Sequence, residues 1–255
     1  MGDTVRVDAG DVTTITIDRP DALNSMNVET LEALSAAIDE AKEASARVVV
    51  LTGAGDRAFC AGADIEYMSG LSTTEAQAYA ERGHAVVNRL EDFPAPVIAS
   101  INGYAFGGGC EIAIACDLRV ASERAVIGQT EIDLGIVPGW GGTQRLPRLV
   151  GDELARRMIF FGERVDAQDA REYGLVGDVL AHDELDEYVA DMAAELAAKP
   201  AFAMEAAKEA LNLERRREPE AGLAYERRAW SGLFGTPDQR EGMAAFVEKR
   251  EPDFE

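Results

Sequence analysis

The sequence predicts an α/β protein with a largely parallel sheet in its core and a helical C-terminal part. Three observations carry this prediction. Residues 48–51 are a continuous apolar run and 97–101 a short apolar run, as strands covered on both faces require. A helical stretch, 75–90, separates them, which is the pattern of a parallel strand–helix–strand unit. Beyond Gly142 most segments carry helical spacing, with Pro200, Pro219 and Pro237 between them rather than inside them. At 255 residues and 47% hydrophobic the chain can bury a full core. The core is placed at residues 1–195 and the helical part at 196–255.

In chain order, residues 5–7 and 12–17 alternate around Gly10-Asp11 and predict a β-hairpin. Asn27 is an N-cap candidate for a helix with Leu31, Leu34, Ile38 and Ala41 on one face. The strand at 48–51 leads into a loop expected to run through Gly62. Short strands are expected at 120–121 and 125–127. Helices are expected at 154–161, 167–173, 185–198, 201–213, 222–233 and 239–250, with one short strand at 176–180.

Composition limits the function. The net charge is −22, from 47 acids against 25 bases spread along the whole chain, which argues against nucleic acid and anionic membranes as partners. Such an acidic surface fits adaptation to a very salty cytoplasm; the alternative is an ordinary acidic enzyme of a high-GC genome. The N-terminus lacks the basic and apolar regions of a signal peptide. The charge-free stretch 93–110 contains Pro94, Pro96, Asn102 and a glycine run, so it is not expected to span a membrane. Cys60, Cys110 and Cys116 form no C-x-x-C and are expected to be reduced, as in a cytoplasmic protein.

The stretch 98–131 organises the chemistry. Gly107-Gly108-Gly109 follows a strand and opens a helix, which leaves backbone N–H groups unpaired and open to close approach. With the helix dipole behind them these groups favour a developing negative charge, one half of an oxyanion hole. Glu111 is the only charge between Asp92 and Asp117, and Glu131 follows an uncharged run. A second glycine-dense turn, PGWGG at 138–142, lies close behind. Packing glycines and a surface carboxylate would explain the same spacing.

Other signals fail. Gly53 and Gly55 match a loose dinucleotide fingerprint, but no helix opens at the second glycine. There is no G-x-x-x-x-G-K and no G-x-S-x-G. His84 and His182 are far apart and are expected to be surface or packing residues, so no metal is expected.

Three motifs, CAGADI at 60–65, NGYAFGGGCE at 102–111 and PGWGGTQRL at 138–146, together resemble the crotonase superfamily and, within it, enoyl-CoA hydratases. The resemblance extends from Asp18-Arg19-Pro20 to EGMAAFVEKR at 241–250. It implies a crotonase-like ββα spiral core, with a helical C-terminal region that builds a homotrimer or a dimer of trimers. It implies an acyl-CoA thioester as substrate and no cofactor beyond that coenzyme A. The oxyanion hole falls on the N–H groups of Ala63 and Gly108, and the catalytic pair on Glu111 and Glu131. Ala61, Asp64, Ile65, Gly107 and Trp140 are implied at the substrate. Phe246 and Lys249 are implied at coenzyme A, across a subunit boundary.

Two departures stand out. Glu66 occupies a position where many relatives carry Lys, and Trp140 replaces a smaller residue of some relatives, which would favour short acyl chains if it borders the acyl pocket. The nearest alternative is a Δ3,Δ2-enoyl-CoA isomerase using Glu131. More remote is a non-catalytic acyl-CoA binder, or an RNA-binding relative that the charge disfavours.

Overall fold

The structure is a computed structural model and describes residues 4–216, 227, 230–233 and 236–254. The chain opens with the expected hairpin, β1 (Val5–Asp8) and β2 (Val12–Ile17), paired antiparallel. Helix α1 (Val28–Glu43) begins where Asn27 accepts the Thr30 N–H, and Leu31, Leu34, Ile38 and Ala41 are all buried. β3 (Val48–Gly53) lies parallel to β2 on one side and to β5 (Val97–Ile101) on the other. β7 (Leu118–Ser122) and β10 (Asp178–Leu180) complete a six-stranded sheet in the order β1-β2-β3-β5-β7-β10.

A second sheet was hidden in the sequence. β4 (Ala58–Cys60), β6 (Tyr104–Phe106), β8 (Val126–Gly128) and β9 (Arg164–Asp166) form it in that order. Residues 58–60, expected to be loop, are therefore strand, and β6 and β9 were not anticipated. Strands of three residues are too short to show a period of two. β3 continues into β4, β5 into β6 and β7 into β8, the first of each pair in the large sheet and the second in the small one. α3 (Thr73–Glu91) follows the first pair and α4 (Gly108–Ala115) the second, the former after a single turn, α2 (Ile65–Met68). This repeat is the expected ββα spiral.

Both faces of the large sheet are covered at its centre, which explains the apolar run at the start of β3. Val49 and Leu51 belong to the main core with α1 and α4. Val48, Val50, Ile98 and Val120 instead pack with Leu185, Val189 and Ala193 of α8 (Leu185–Ala197) in a second cluster. In chain order α5 (Gly142–Val150), α6 (Asp152–Phe160) and α7 (Ala167–Glu172) come between β8 and α8. Of these α5 was not foreseen; its Pro147 and paired glycines mask the helical spacing. α9 (Ala201–Arg216) and α10 (Pro237–Glu248) lie in the C-terminal part, with residues 230–233 between them also helical. Pro219 and most of the helix expected at 222–233 lie outside the described residues. No helix among the described residues is long and apolar enough to cross a membrane. The three cysteines are free and buried.

Candidate active site

The glycine run lies at the N-terminus of α4, where β6 turns back toward the core. Each of its three glycines faces a different neighbour. Gly107 has φ +50°, and a Cβ there would stand 3.3 Å from Oε1 of Glu131. On Gly108 a Cβ would meet the Trp140 ring at 2.2 Å, and on Gly109 the Cys60 carbonyl oxygen at 1.9 Å. The loop is therefore pressed between β4, the Trp140 turn and the Glu131 side chain. All of α4 is buried, Glu111 included.

Glu111 stands on the first turn of α4, 2% exposed. Its Oε1 accepts two main-chain N–H groups, from Trp140 and Gly142, each at 2.7 Å. These donors come from the glycine-dense turn singled out in the sequence, where Gly141 has φ +109°. Burial pushes the Glu111 carboxyl above the ordinary range. The N–H groups of Gly142, Trp140 and Gly139 and the charge of Arg145 pull it back.

Glu131 opens a 3-10 turn (Glu131–Leu134) and is 8% exposed. Its support is a side chain. Gln129, fully buried, turns its amide toward this carboxylate; with the nitrogen on that side, the orientation that satisfies both groups, it donates to Oε1 at 2.9 Å and to Oε2 at 3.1 Å. Burial, and after it the charge of Glu111, push Glu131 up to about 7. In the sequence only its position in the uncharged run just before Glu131 marks Gln129.

Opposite the glycine run, residues 61–65 leave β4 beside Phe106 and Gly108; a Cβ on Gly62 would stand 3.3 Å from the Gly108 nitrogen. Ala63 forms a parallel bridge with Met26 in which Met26 donates to Gly62 and Asp64 donates to Met26. The bridge leaves the Ala63 N–H directed away from Met26. Gly108 is the first residue of α4, so its N–H has no acceptor within the helix. Two facing segments thus bring the Ala63 and Gly108 amides to the same region as the two carboxylates.

Among the remaining implied substrate residues, Ala61 is half-buried and donates its N–H to Leu23, and Ile65 is 56% exposed. Both Asp64 oxygens are engaged within the chain. Oδ1 caps α2 through the Tyr67 N–H at 3.1 Å, and Oδ2 meets both Arg19 terminal nitrogens at 3.1 Å. The Trp140 ring is 3% exposed and lies among Gly83, Gly108 and Tyr79. Tyr79 in turn donates its hydroxyl to the Met26 carbonyl. Lys249 is exposed, with φ +56°, just past α10, and forms no ion pair among the described residues. Phe246 belongs to α10, and its side chain lies outside the described residues. A groove of about 1120 Å³, lined by residues such as Arg47, Pro94, Lys199 and Phe202, contains none of these groups.

The profile of the enoyl-CoA hydratase/isomerase family matches residues 8–255, and the chain belongs to that family. It is 42% identical over 242 residues to the short-chain-enoyl-CoA hydratase of Clostridium acetobutylicum, covering 94% of this chain and 93% of the other. It is 40% identical over 239 residues to the crotonyl-CoA hydratase of Syntrophomonas wolfei, with 93% and 92% covered. The crystal structure of enoyl-CoA hydratase from Bacillus anthracis superposes with a TM-score of 0.94 at 40% identity, covering 98% of both chains. The crotonase-like fold expected from the motifs is thereby established.

Proposed function

We propose that the chain catalyses the reversible syn addition of water across the 2,3 double bond of an enoyl-CoA thioester, giving a 3-hydroxyacyl-CoA. The observation that carries this reading is the pair of buried carboxylates, Glu111 and Glu131, beside a helix start with an unclaimed N–H. The names of the relatives at about 40% identity support the same chemistry. The thioester oxygen sits between the N–H groups of Ala63 and Gly108, which stabilise the enolate-like charge as it forms. One carboxylate takes a proton from water as the water oxygen bonds to C3, and the other delivers a proton to C2. The enzyme ends with the protons it began with once the pair re-equilibrates. Coenzyme A is part of the substrate, and no other cofactor takes part.

The second reading is the Δ3,Δ2-isomerase. A carboxyl held near 7, as Glu131 is, suits a proton shuttle between two carbons, while Glu111 is tied to two N–H groups. Turnover of crotonyl-CoA, followed by loss of its conjugated-thioester absorbance, separates the two. Glu111→Gln and Glu131→Gln are each expected to lower kcat by about 10²–10⁴-fold. Untouched crotonyl-CoA, with conversion of a 3-enoyl-CoA that depends on Glu131 alone, would establish the isomerase.

Three finer points belong to this reading. Trp140 limits the acyl pocket, so four-carbon substrates are expected to react faster than ten-carbon ones; equal or better rates on the longer chain would sink that role. The 196–255 segment assembles a homotrimer or a dimer of trimers in the cytoplasm, and Lys249, with Phe246, meets coenzyme A bound to a neighbouring copy. The acid excess is an adaptation to high salt, so circular dichroism is expected to show loss of structure in dilute buffer; a fully folded, assembled protein without added salt contradicts it.

A further inference from the structure

Arg145 is a long cation buried behind the turn that holds Glu111. It stands on the first turn of α5, and its side chain is 10% exposed. Nε and Nη2 meet Oε2 of Glu91 at 3.2 and 2.6 Å, and Nη2 also donates to Oδ1 of Asn88 at 2.8 Å. Glu91 is itself buried at the last turn of α3. The remaining nitrogen, Nη1, donates to the Trp140 carbonyl at 3.1 Å and packs so close to Gly141 that a Cβ there would stand 2.1 Å away.

That carbonyl belongs to the peptide unit lying between the two whose N–H groups hold Glu111. A turn through Gly139, Gly141 and Gly142 has few side chains of its own to fix it, and glycine backbone is the least restricted of all. Fixing the Trp140–Gly141 peptide fixes the direction of the N–H on either side of it. The fork geometry of a guanidinium allows it to grip Glu91, Asn88 and Trp140 at once, which an ammonium cannot do. Other charged or titratable groups around Glu111 are Glu131 on the 3-10 turn and Cys110 on α4 itself.

We propose that Arg145 is a positioning residue for the reaction: anchored on α3 through Glu91 and Asn88, it locks the Trp140–Gly142 turn and thereby aims the carboxylate of Glu111. It touches neither substrate nor reacting atoms. The proposal rests on the hydratase reading for its rate effect, but not for its effect on Glu111 itself.

The experiment compares Arg145→Gln and Arg145→Lys in the full chain, alone and in the Glu111→Gln background. Steady-state turnover of crotonyl-CoA is read beside an infrared titration of the carboxyl C=O band that Glu111→Gln removes. Displacing a catalytic group by a fraction of its reach costs on the order of 10²-fold. Arg145→Gln is therefore expected to lower kcat by roughly that factor with KM little changed. Arg145→Lys, which keeps a charge opposite Glu91, should fall between it and the wild type and serves where the glutamine variant fails to fold. In the Glu111→Gln background the additional loss should nearly vanish, and the Glu111 band should titrate at higher pH without Arg145. A rate loss that persists undiminished in the Glu111→Gln background overturns the proposal, as does an unmoved band in both variants. If the wild type leaves crotonyl-CoA untouched, the hydratase reading fails, and the band alone still decides the role of Arg145.

Discussion

Glu111 and Glu131 share one buried region and one side-chain chemistry, yet they are held in different ways. Glu111 projects from a fully buried helix and is gripped by two main-chain N–H groups at 2.7 Å. Glu131 projects from a 3-10 turn and leans on the side chain of Gln129. Main-chain donors, once their turn is fixed, cannot swing away, and two of them on one oxygen offset part of the cost of burying charge. A single side-chain amide compensates less. Burial, and after it the charge of Glu111, push Glu131 up to about 7. Burial raises both carboxyls, and Glu111 is the one held by main-chain donors.

The contrast can be broken most strongly through stability. Glu131 is raised from 4.5 to about 7 in the folded chain, so between those values the folded state binds more protons than the unfolded one. Stability then falls as pH rises through that window, by a limit of about 3 kcal/mol for a shift of this size, and is flat above it. Urea denaturation at pH 5 and pH 8 should show the loss in the wild type, with the contribution of Glu131 removed in Glu131→Gln. Equal pH dependence in the two proteins would mean that Glu131 is not strained by its surroundings.

A smaller effect is expected from its support. Gln129→Leu removes the amide donor from Glu131 and leaves both N–H bonds to Glu111 in place. Loss of a hydrogen bond to a charged group costs on the order of 1.5–3 kcal/mol, so the carboxyl should be driven further toward its neutral form. In the pH profile of kcat/KM, the limb belonging to Glu131 should move alkaline. A limb that stays in place would assign it to another group.

Much of this was legible in advance, and particular residues show why. Asn27 capping α1, the alternation of β1 and β2 and the covered strand β3 are local consequences of spacing. Glu111 and Glu131 stood out because a charge in an apolar run is costly to bury and so calls for a reason. Residues 58–60, by contrast, read as loop, since what makes them a strand is pairing with β6, more than 40 residues away. Arg145 gains its meaning from Glu91, 54 residues away along the chain, while Gln129 had only its place in the uncharged run before Glu131 to mark it.

By itself, the sequence determined the class of the fold, the glycine run at the head of α4 and the identity of the two acids. Those follow from local geometry: side chains missing where backbone must come close, and charges set among apolar neighbours. Only the tertiary structure decided which groups hold those acids. The N–H donors of Glu111 lie 29 and 31 residues downstream of it. A buried carboxylate takes whatever donors the packing brings within reach, and that distance is measured through space, not along the chain.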